Sequence, residues 1–535
     1  MSDEFVRPED IEDVGLDPGV LERPMGRKDF FLNAAKLTAA AAAAGPFFMS
    51  RSHADAALRA MGRASASDPA VIAVNAAKKF KGVTLNHTYE AGLQALDPKN
   101  FSGPLWKKLT GISLNVIELD HASQFSKVIA SHLAHSSAYD LVDIEPAWVP
   151  SMAENGTILA IDSFLKKYDP AGVMLKDMHP LYQPLATWKG KRYGFFDDGD
   201  MFAVYYRTDI FGDPKLQKAY KAKYKQALRV PQSWDEYAQV AHFITDQLAP
   251  KVYGTGAFRK LNGPGNHWSF YQELAANGGA IFNSSTMKAT INSPQGVKTL
   301  KQMIDQNKAS IPGVEQMDAV SEWVAWVQGK LAMIFSWPPT GRLSENYSQR
   351  SKAFTFIPHS KIAGKVGYAL IPTGHGEMAS GYVKAVTSDS KNPEAAYLLM
   401  QWMCSPTIST QRVMLPYALR DPYRISHYTS PKYRALWRHA RQYLVNLANA
   451  ANEGVLNPIM PGTADYAVAL DRACTSAYAG TDPKKALDTA AGEWNTLTSR
   501  LGTSSQRTAY LEFLKLPGSS AKNTIAAAGK AVHIS

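Results

Sequence analysis

The chain has 535 residues, of which 45% are hydrophobic and 20% charged, a composition that excludes wholesale disorder, a collagen repeat and a disulfide-stapled miniprotein. Its 58 basic and 47 acidic side chains give a formal charge of +11; the first 60 residues hold 7 basic and 10 acidic, which leaves 51 against 37 for residues 61–535. That excess is scattered, as in Lys218, Lys221, Lys223 and Lys225, with no basic block, so it can steer an anionic ligand but does not mark a nucleic-acid binder.

The chain opens with an address. Arg27-Lys28-Asp29-Phe30-Phe31 precedes a mildly apolar stretch from Leu37 to Met49 that contains six consecutive alanines, and small-residue sites follow at Ala54-Asp55-Ala56 and Ala64-Ser65-Ala66. A positive region, an apolar region and an A-x-A site make an export signal. The order of charges and aromatics resembles a twin-arginine signal, with Lys28 in place of the second arginine. Residues 1–66 are therefore expected to be a leader, and the mature protein to be periplasmic. After residue 50 no run reaches the roughly 18 apolar residues of a membrane span. Cys404 and Cys474 are the only cysteines, which excludes a multi-cysteine metal site; an exported location allows them to pair.

In the mature chain, the alternation from Gly82 to Glu90 predicts a strand ending near Glu90. Ile112–Leu119 is a second strand, Gln124–Ala134 a helix, and Tyr139–Ile144 a third strand that opens into Glu145-Pro146-Ala147-Trp148. Strand, helix, strand at this spacing points to a parallel α/β sheet, and such sheets bind ligands beyond the carboxyl ends of their strands. Met201–Tyr206 is a further strand. Ser233 with Glu236 forms a capping box, and Ser293-Pro294, Asp482-Pro483 and Asn392-Pro393 each start a helix. The Ser, Gly and Ala-rich tail after Leu516 is expected to pack loosely.

Enzyme motifs are sparse. H-E-x-x-H and G-x-S-x-G are absent, and none of the Gly-Lys pairs at Gly190, Gly329, Gly364 and Gly529 continues into a phosphate-binding loop. His132 and His135 can face each other on a helix but lack an evident third metal ligand. Asp197, Asp198 and Asp200 could in principle supply a glycosidase pair.

Seven short stretches then occur in a characteristic order. They are Tyr139–Asp143 with Trp148 and Gly156–Ile161; Gly190–Gly194 with Tyr205–Phe211; Pro231–Tyr237; Trp268 with Asn277-Gly278-Gly279 and Phe282-Asn283; Gly329–Met333 with Trp337; Gly381-Tyr382 with Lys391–Ala396; and Ala486–Asp488 with Glu493-Trp494. Over residues 75–505 the chain resembles the extracellular solute-binding proteins of bacterial ABC importers, in the large carbohydrate-binding family that includes the maltose-binding protein. The resemblance implies an α/β protein of two hinge-connected, discontinuous lobes closing on a ligand: residues 67–199 with 372–415, residues 200–371 with 416–510, and a tail from 511 to 535. Chain crossings would fall near Gly199–Val204, Ile371–Gly381 and Leu415–Leu419. It implies a monomer without cofactor or bound metal that carries out no reaction, takes a small carbohydrate or polyol, and passes it to the transmembrane permease subunits.

Sugars need hydrogen-bonding groups for their hydroxyls and aromatic rings for their C–H faces. With the family's pattern as guide, Glu145 and Trp148 on the loop beyond the third strand, Asp200 near the hinge, Trp268 at a helix start and Trp337 after Met333–Phe335 are expected at the ligand. Gly279 would permit a tight approach or a positive φ. Glu90, Arg342, Gly381 and Tyr382 complete the expected set. Two alternatives stay open: an anionic oligosaccharide such as a uronate, which would require Arg or Lys in the cleft, and a secreted polysaccharide hydrolase or lyase.

Overall fold

The computed structural model describes residues 51–263, 265–354, 356–370 and 377–534. The twin-arginine-like motif and most of the apolar leader lie outside the described residues, as do residues 371–376 of the expected return crossing.

The first lobe is built on a five-stranded sheet. Strands β1 (Thr84–Glu90), β2 (Ser113–Leu119) and β3 (Leu141–Ile144) run parallel in the order β2-β1-β3. The sheet continues through residues 382–386 to β4 (Gly194–Asp198), and the 382–386 strand is antiparallel to both neighbours. Parallel strands need long crossovers, and the one between β2 and β3 carries the helix His121–Leu133. β3 is buried at every position, as expected for a strand covered on both faces.

The second lobe has a three-stranded sheet in which β5 (Ala203–Arg207) lies between β6 (Met333–Ser336) and β7 (Val366–Ala369), antiparallel to each. Around it stand helices that start where the sequence places caps. Ser233 accepts from the Glu236 amide at 3.1 Å, while the Glu236 carboxylate accepts from the Gln232 amide at 2.8 Å, so the capping box closes one residue upstream of the cap. Ser293 and Asp482 cap Pro294–Lys308 and Pro483–Leu501. A two-stranded parallel ribbon pairs β8 (Glu377–Ala379) with β10 (Gly454–Leu456), and β8 leads in sequence into the 382–386 strand, β9 (Tyr382–Val386).

Beneath the first sheet lies a fully buried ion network. Lys384 contacts Asp143 at 3.1 Å and Asp197 at 3.0 Å; Arg420 contacts Asp143 at 3.1 Å and Asp197 at 3.2 Å; Arg412 donates to Asp97 at 2.7 Å and pairs with Asp197. Three cations thus face three carboxylates, and Arg412, Lys384 and Arg420 hold Asp197 well below the usual carboxylate range against the opposing effect of burial. Arg412 and Arg420 flank the Leu415–Leu419 segment, so the network pins this stretch to the first sheet.

Two features bear on points the sequence leaves open, and one expectation, that of a loose tail, is corrected. Cys404 and Cys474 are both buried free thiols and form no disulfide. The C-terminal tail is not loose: Leu456 N donates to Gly518 O at 2.8 Å, and Asn452 bonds Val532 through both its side-chain atoms, at 2.8 and 3.0 Å. Finally, Arg51–Arg63, within the expected leader, forms a helix that packs on Pro406–Arg412 with Ala57 fully buried.

Candidate functional site

The carboxyl edge of the first sheet gathers polar side chains. β1 ends at Glu90, β3 delivers Glu145, β2 leads into His121, and β4 ends at Asp198. Because β9 is antiparallel, its first residue, Tyr382, reaches the same edge, opposite Asp198. The Tyr382 hydroxyl donates to Glu90, and His121 Nε2 lies 2.8 Å from Glu145 Oε1. Burial alone would drive a proton off His121, but the Glu145 hydrogen bond and the Glu90 carboxylate outweigh it and hold the ring up at about 9. Trp148 packs against this imidazolium at 6.0 Å and against Phe125 at 5.6 Å between ring centres.

Between the sheets, Asp198, Asp200 and Asp421 bring carboxylate oxygens within 4.8 Å of one another. Asp200 is pushed well above the ordinary carboxyl range by burial and by the negative charge of Asp198, Asp421 and Glu90. Burial and Asp421 push Asp198 up to about 8, and burial raises Asp421 to about 6 against the pull of Arg342.

The facing edge of the second lobe is aromatic. Phe202, just before β5, and Trp337, just after β6, are 5.4 Å apart; Trp268 lies 5.5 Å from each, and Phe258 stacks on Trp337 at 4.9 Å. The indole N–H groups of Trp268 and Trp337 are buried without a hydrogen-bond partner among the described residues. His267 precedes Trp268 on the helix Gly265–Ala276, whose start is fixed by Asn266 donating to Asp471 at 2.6 Å. His267 is 7% exposed, and burial together with the charge of His121 lowers it to about 3, so it is neutral. A carboxyl and imidazolium edge on one lobe therefore meets an aromatic edge on the other, with three carboxyls at the junction.

Residues 86–408 match the family described as bacterial extracellular solute-binding protein. This chain belongs to that family. It is the binding component of an ABC importer. An ABC transporter solute-binding protein from Agrobacterium radiobacter K84, solved with ribitol, is 26% identical, covers 78% of this chain and 99% of its own, and superposes with a TM-score of 0.66. A second, from Agrobacterium vitis S4 with bound D-mannitol, is 22% identical over 79% and 99% of the two chains, with a TM-score of 0.64. A probable ABC transporter-binding protein of Deinococcus radiodurans is 25% identical over 343 residues, 62% of this chain and 74% of its own.

In this binding protein Glu90, Glu145, Trp148, Asp200 and Tyr382 lie at or near the carboxyl edge of the first sheet, and Trp268 and Trp337 belong to the aromatic cluster of the second lobe. Gly381 sits beside them with φ +113°, where a Cβ would meet Asp198 O at 1.9 Å. Two expected residues lie elsewhere. Gly279 follows the helix Gly265–Ala276 on its far side: a Cβ there would strike Leu274 and Gln295, and the positive φ belongs to its neighbour Gly278. Arg342 is fully buried and donates to Asp421 at 2.8 Å and to Ala418 O at 2.8 Å, so it is spent on holding the 418–421 segment. His121, His267, Phe202, Asp198 and Asp421 join the site without having been singled out for it. His121 was within reach of sequence reasoning, because it lies just past the end of β2; Asp421 was not, because it reaches the site through contacts distant in sequence, its amide donating to Asp198 at 2.6 Å and its carboxylate accepting from Arg342.

The remaining chemistry-bearing features resolve into structure. His132 and His135 both face Asp389, at 2.6 and 3.4 Å. Asp197 belongs to the ion network. An open groove of about 800 Å³ between the helices Trp234–Leu248 and Pro294–Lys308 shares no residue with the cleft, and its Asp235 and Asp305 already pair with Lys298 at 3.4 Å and His242 at 3.1 Å. No helix among the described residues is long and apolar enough to cross a membrane.

Proposed function

We propose that this protein captures a neutral or weakly charged sugar or polyol between its lobes and delivers it, chemically unchanged, to a cognate membrane permease from the periplasm. The observation that carries this reading is the pairing of the two cleft edges: Glu90, Glu145, Asp200 and Tyr382 offer hydroxyl partners, and Trp148, Trp268 and Trp337 offer ring faces. Ribitol and D-mannitol in the related proteins are ligands of the chemistry such a cleft accepts. Residues 67–199 with 372–415 would form one lobe and 200–371 with 416–510 the other, with a twin-arginine-like leader directing export. A ligand that favours the closed state by about 5.5 kcal/mol takes it from 1% to 99% populated, which several hydrogen bonds with stacking can supply.

Calorimetric titration of the purified protein with pentitols, hexitols, monosaccharides and disaccharides tests the reading. Saturable binding of one member, recovered intact by mass spectrometry, is the expected result. Silence across the whole panel, or recovery of a cleaved product, would overturn it.

A further inference from the structure

The cleft's charges are unbalanced. Glu145 has its counter-charge in His121, and Asp421 has Arg342. Glu90 has no counter-charge of its own and feels only the field of the His121 that Glu145 already holds: it is half-buried, accepts from the Tyr382 hydroxyl, and has no Lys, Arg or His nitrogen within ion-pair distance among the described residues. Asp200, 7% exposed, likewise lacks a cationic partner. The charged groups acting most strongly on Asp200 are Asp198, Asp421 and Glu90, and those acting most strongly on Tyr382 are Glu90, Glu145 and Asp143; all are acidic. Burial is the first cause of the upward push on Asp200, and the negative charge of these neighbours adds to it. Arg342, Arg420, Arg412 and Lys384 are buried and already paired. On the opposite wall His267, more than nine-tenths buried and neutral, shows no side-chain hydrogen bond among the described residues, and the Trp268 ring stands 5.6 Å from it with Trp337 beyond.

A half-buried carboxylate without a counter-charge is costly unless a cation comes to it, and the faces of indole rings attract cations as well. An anionic cargo would meet repulsion here. We infer that the cargo carries a basic nitrogen, as in an aminated sugar or polyol, with its ammonium seated at Glu90 and Asp200 and its carbon chain against Trp268 and Trp337. This inference rests on the sugar or polyol reading and narrows it: the amine supplies the charge that the cleft lacks, while the hydroxyls use Tyr382, Glu145 and His267. A charge-assisted hydrogen bond in a desolvated cleft is roughly twice as strong as a neutral one, so amine and hydroxyl at the same carbon should be well separated in affinity.

The test is calorimetric titration with matched pairs that differ only by amine for hydroxyl: 1-amino-1-deoxy-D-sorbitol against D-sorbitol, D-glucosamine against D-glucose, and D-galactosamine against D-galactose, with D-glucuronate as the anionic arm. The expected result is that the amine of at least one pair binds at least tenfold more tightly than its hydroxyl partner, and that Glu90→Gln brings the affinity ratio of that pair close to one. Should Glu90→Gln unfold, the same preference must fall at least threefold between 20 mM and 300 mM salt in the unaltered protein, as attraction between charges requires. Equal or tighter binding of the neutral members, or tightest binding of glucuronate, overturns this inference and leaves the carbohydrate reading standing. Binding of none of them, together with silence of the wider panel, removes both.

Discussion

His121 shows how a single side chain can be held in a charge state opposite to the one burial favours. Its hydrogen bond to Glu145 and the field of Glu90 raise it to about 9, above the 6.5 of an unfolded histidine. A raised histidine contributes stability that is fully present below pH 6.5 and disappears as pH rises through 9. His121→Gln should therefore lower stability by about 2–3 kcal/mol at pH 6 and by little at pH 9.5. Urea unfolding of both proteins at the two pH values measures this, and an equal loss at both would mean that the ring acts by packing alone. Across the cleft, Trp337 is half-buried and keeps an unpartnered indole N–H. Trp337→Leu removes a ring face and a donor and should weaken ligand binding by about 1–3 kcal/mol, while Phe258 and Phe202 keep the local cluster together. Titration calorimetry beside a melting curve separates the affinity loss from a folding defect.

At the scale of elements, the start of β9 depends on one backbone conformation. Gly381 has φ +113° and lies against Asp198 O and the Asp200 amide, so a side chain there meets both conformational strain and a backbone clash. Gly381→Ala should cost about 2 kcal/mol or more and displace Tyr382 from Glu90, seen as a lower melting temperature together with weaker binding. Gly278→Ala, at φ +72° with open space for a Cβ, tests strain without the clash and should cost less. The contrast also shows what could be read from sequence. β1, β2 and β3 were legible because alternation and β-branched residues mark them, and the rule that ligands sit beyond strand carboxyl ends then led to Glu90, Glu145 and Trp148. β8 and β10 were not, because three residues are too few for any periodicity to appear. Arg342 and Gly279 were misplaced for a related reason: motif order fixes the loop on which a residue lies but not which way its side chain turns. The hinge carboxyls Asp198, Asp200 and Asp421 were beyond reach as a group, since the third lies more than 200 positions from the others and is brought to them by the ion network beneath the first sheet.

The titration of the whole molecule follows from how its buried groups are divided. Burial holds His179 and His267 down to about 4 and about 3, and lowers His87 and His427 well below 6.5. Each of these takes up its proton more readily when unfolded, so stability rises with pH up to about 6.5 on their account. Burial acts in the other direction on carboxyls: Asp198, Glu273 and Glu322 are raised to about 8, Asp421 to about 6, and Asp200 further still. A raised carboxyl gives stability that is present below its unfolded value and lost as pH climbs to the folded one. Below pH 6.5 the two sets oppose each other and stability should be nearly level. Above it the histidines are neutral in both states and drop out, while the carboxyls continue and His121 joins them. Unfolding free energy should therefore fall between pH 6.5 and 9, each raised group contributing up to about 1.4 kcal/mol per pH unit while it remains protonated only in the folded state. The hinge supplies a share of that slope, so Asp198→Asn, which keeps a neutral side chain of the same shape opposite Gln94 and Arg420, should make the decline shallower. Melting temperatures at pH 5.5, 7.0 and 8.5 for the two proteins decide the matter: a flat or rising curve above pH 6.5, or an unchanged slope in Asp198→Asn, would show that the hinge carboxyls are ionised in the folded protein and that the negative cleft is stronger than their neutral forms allow.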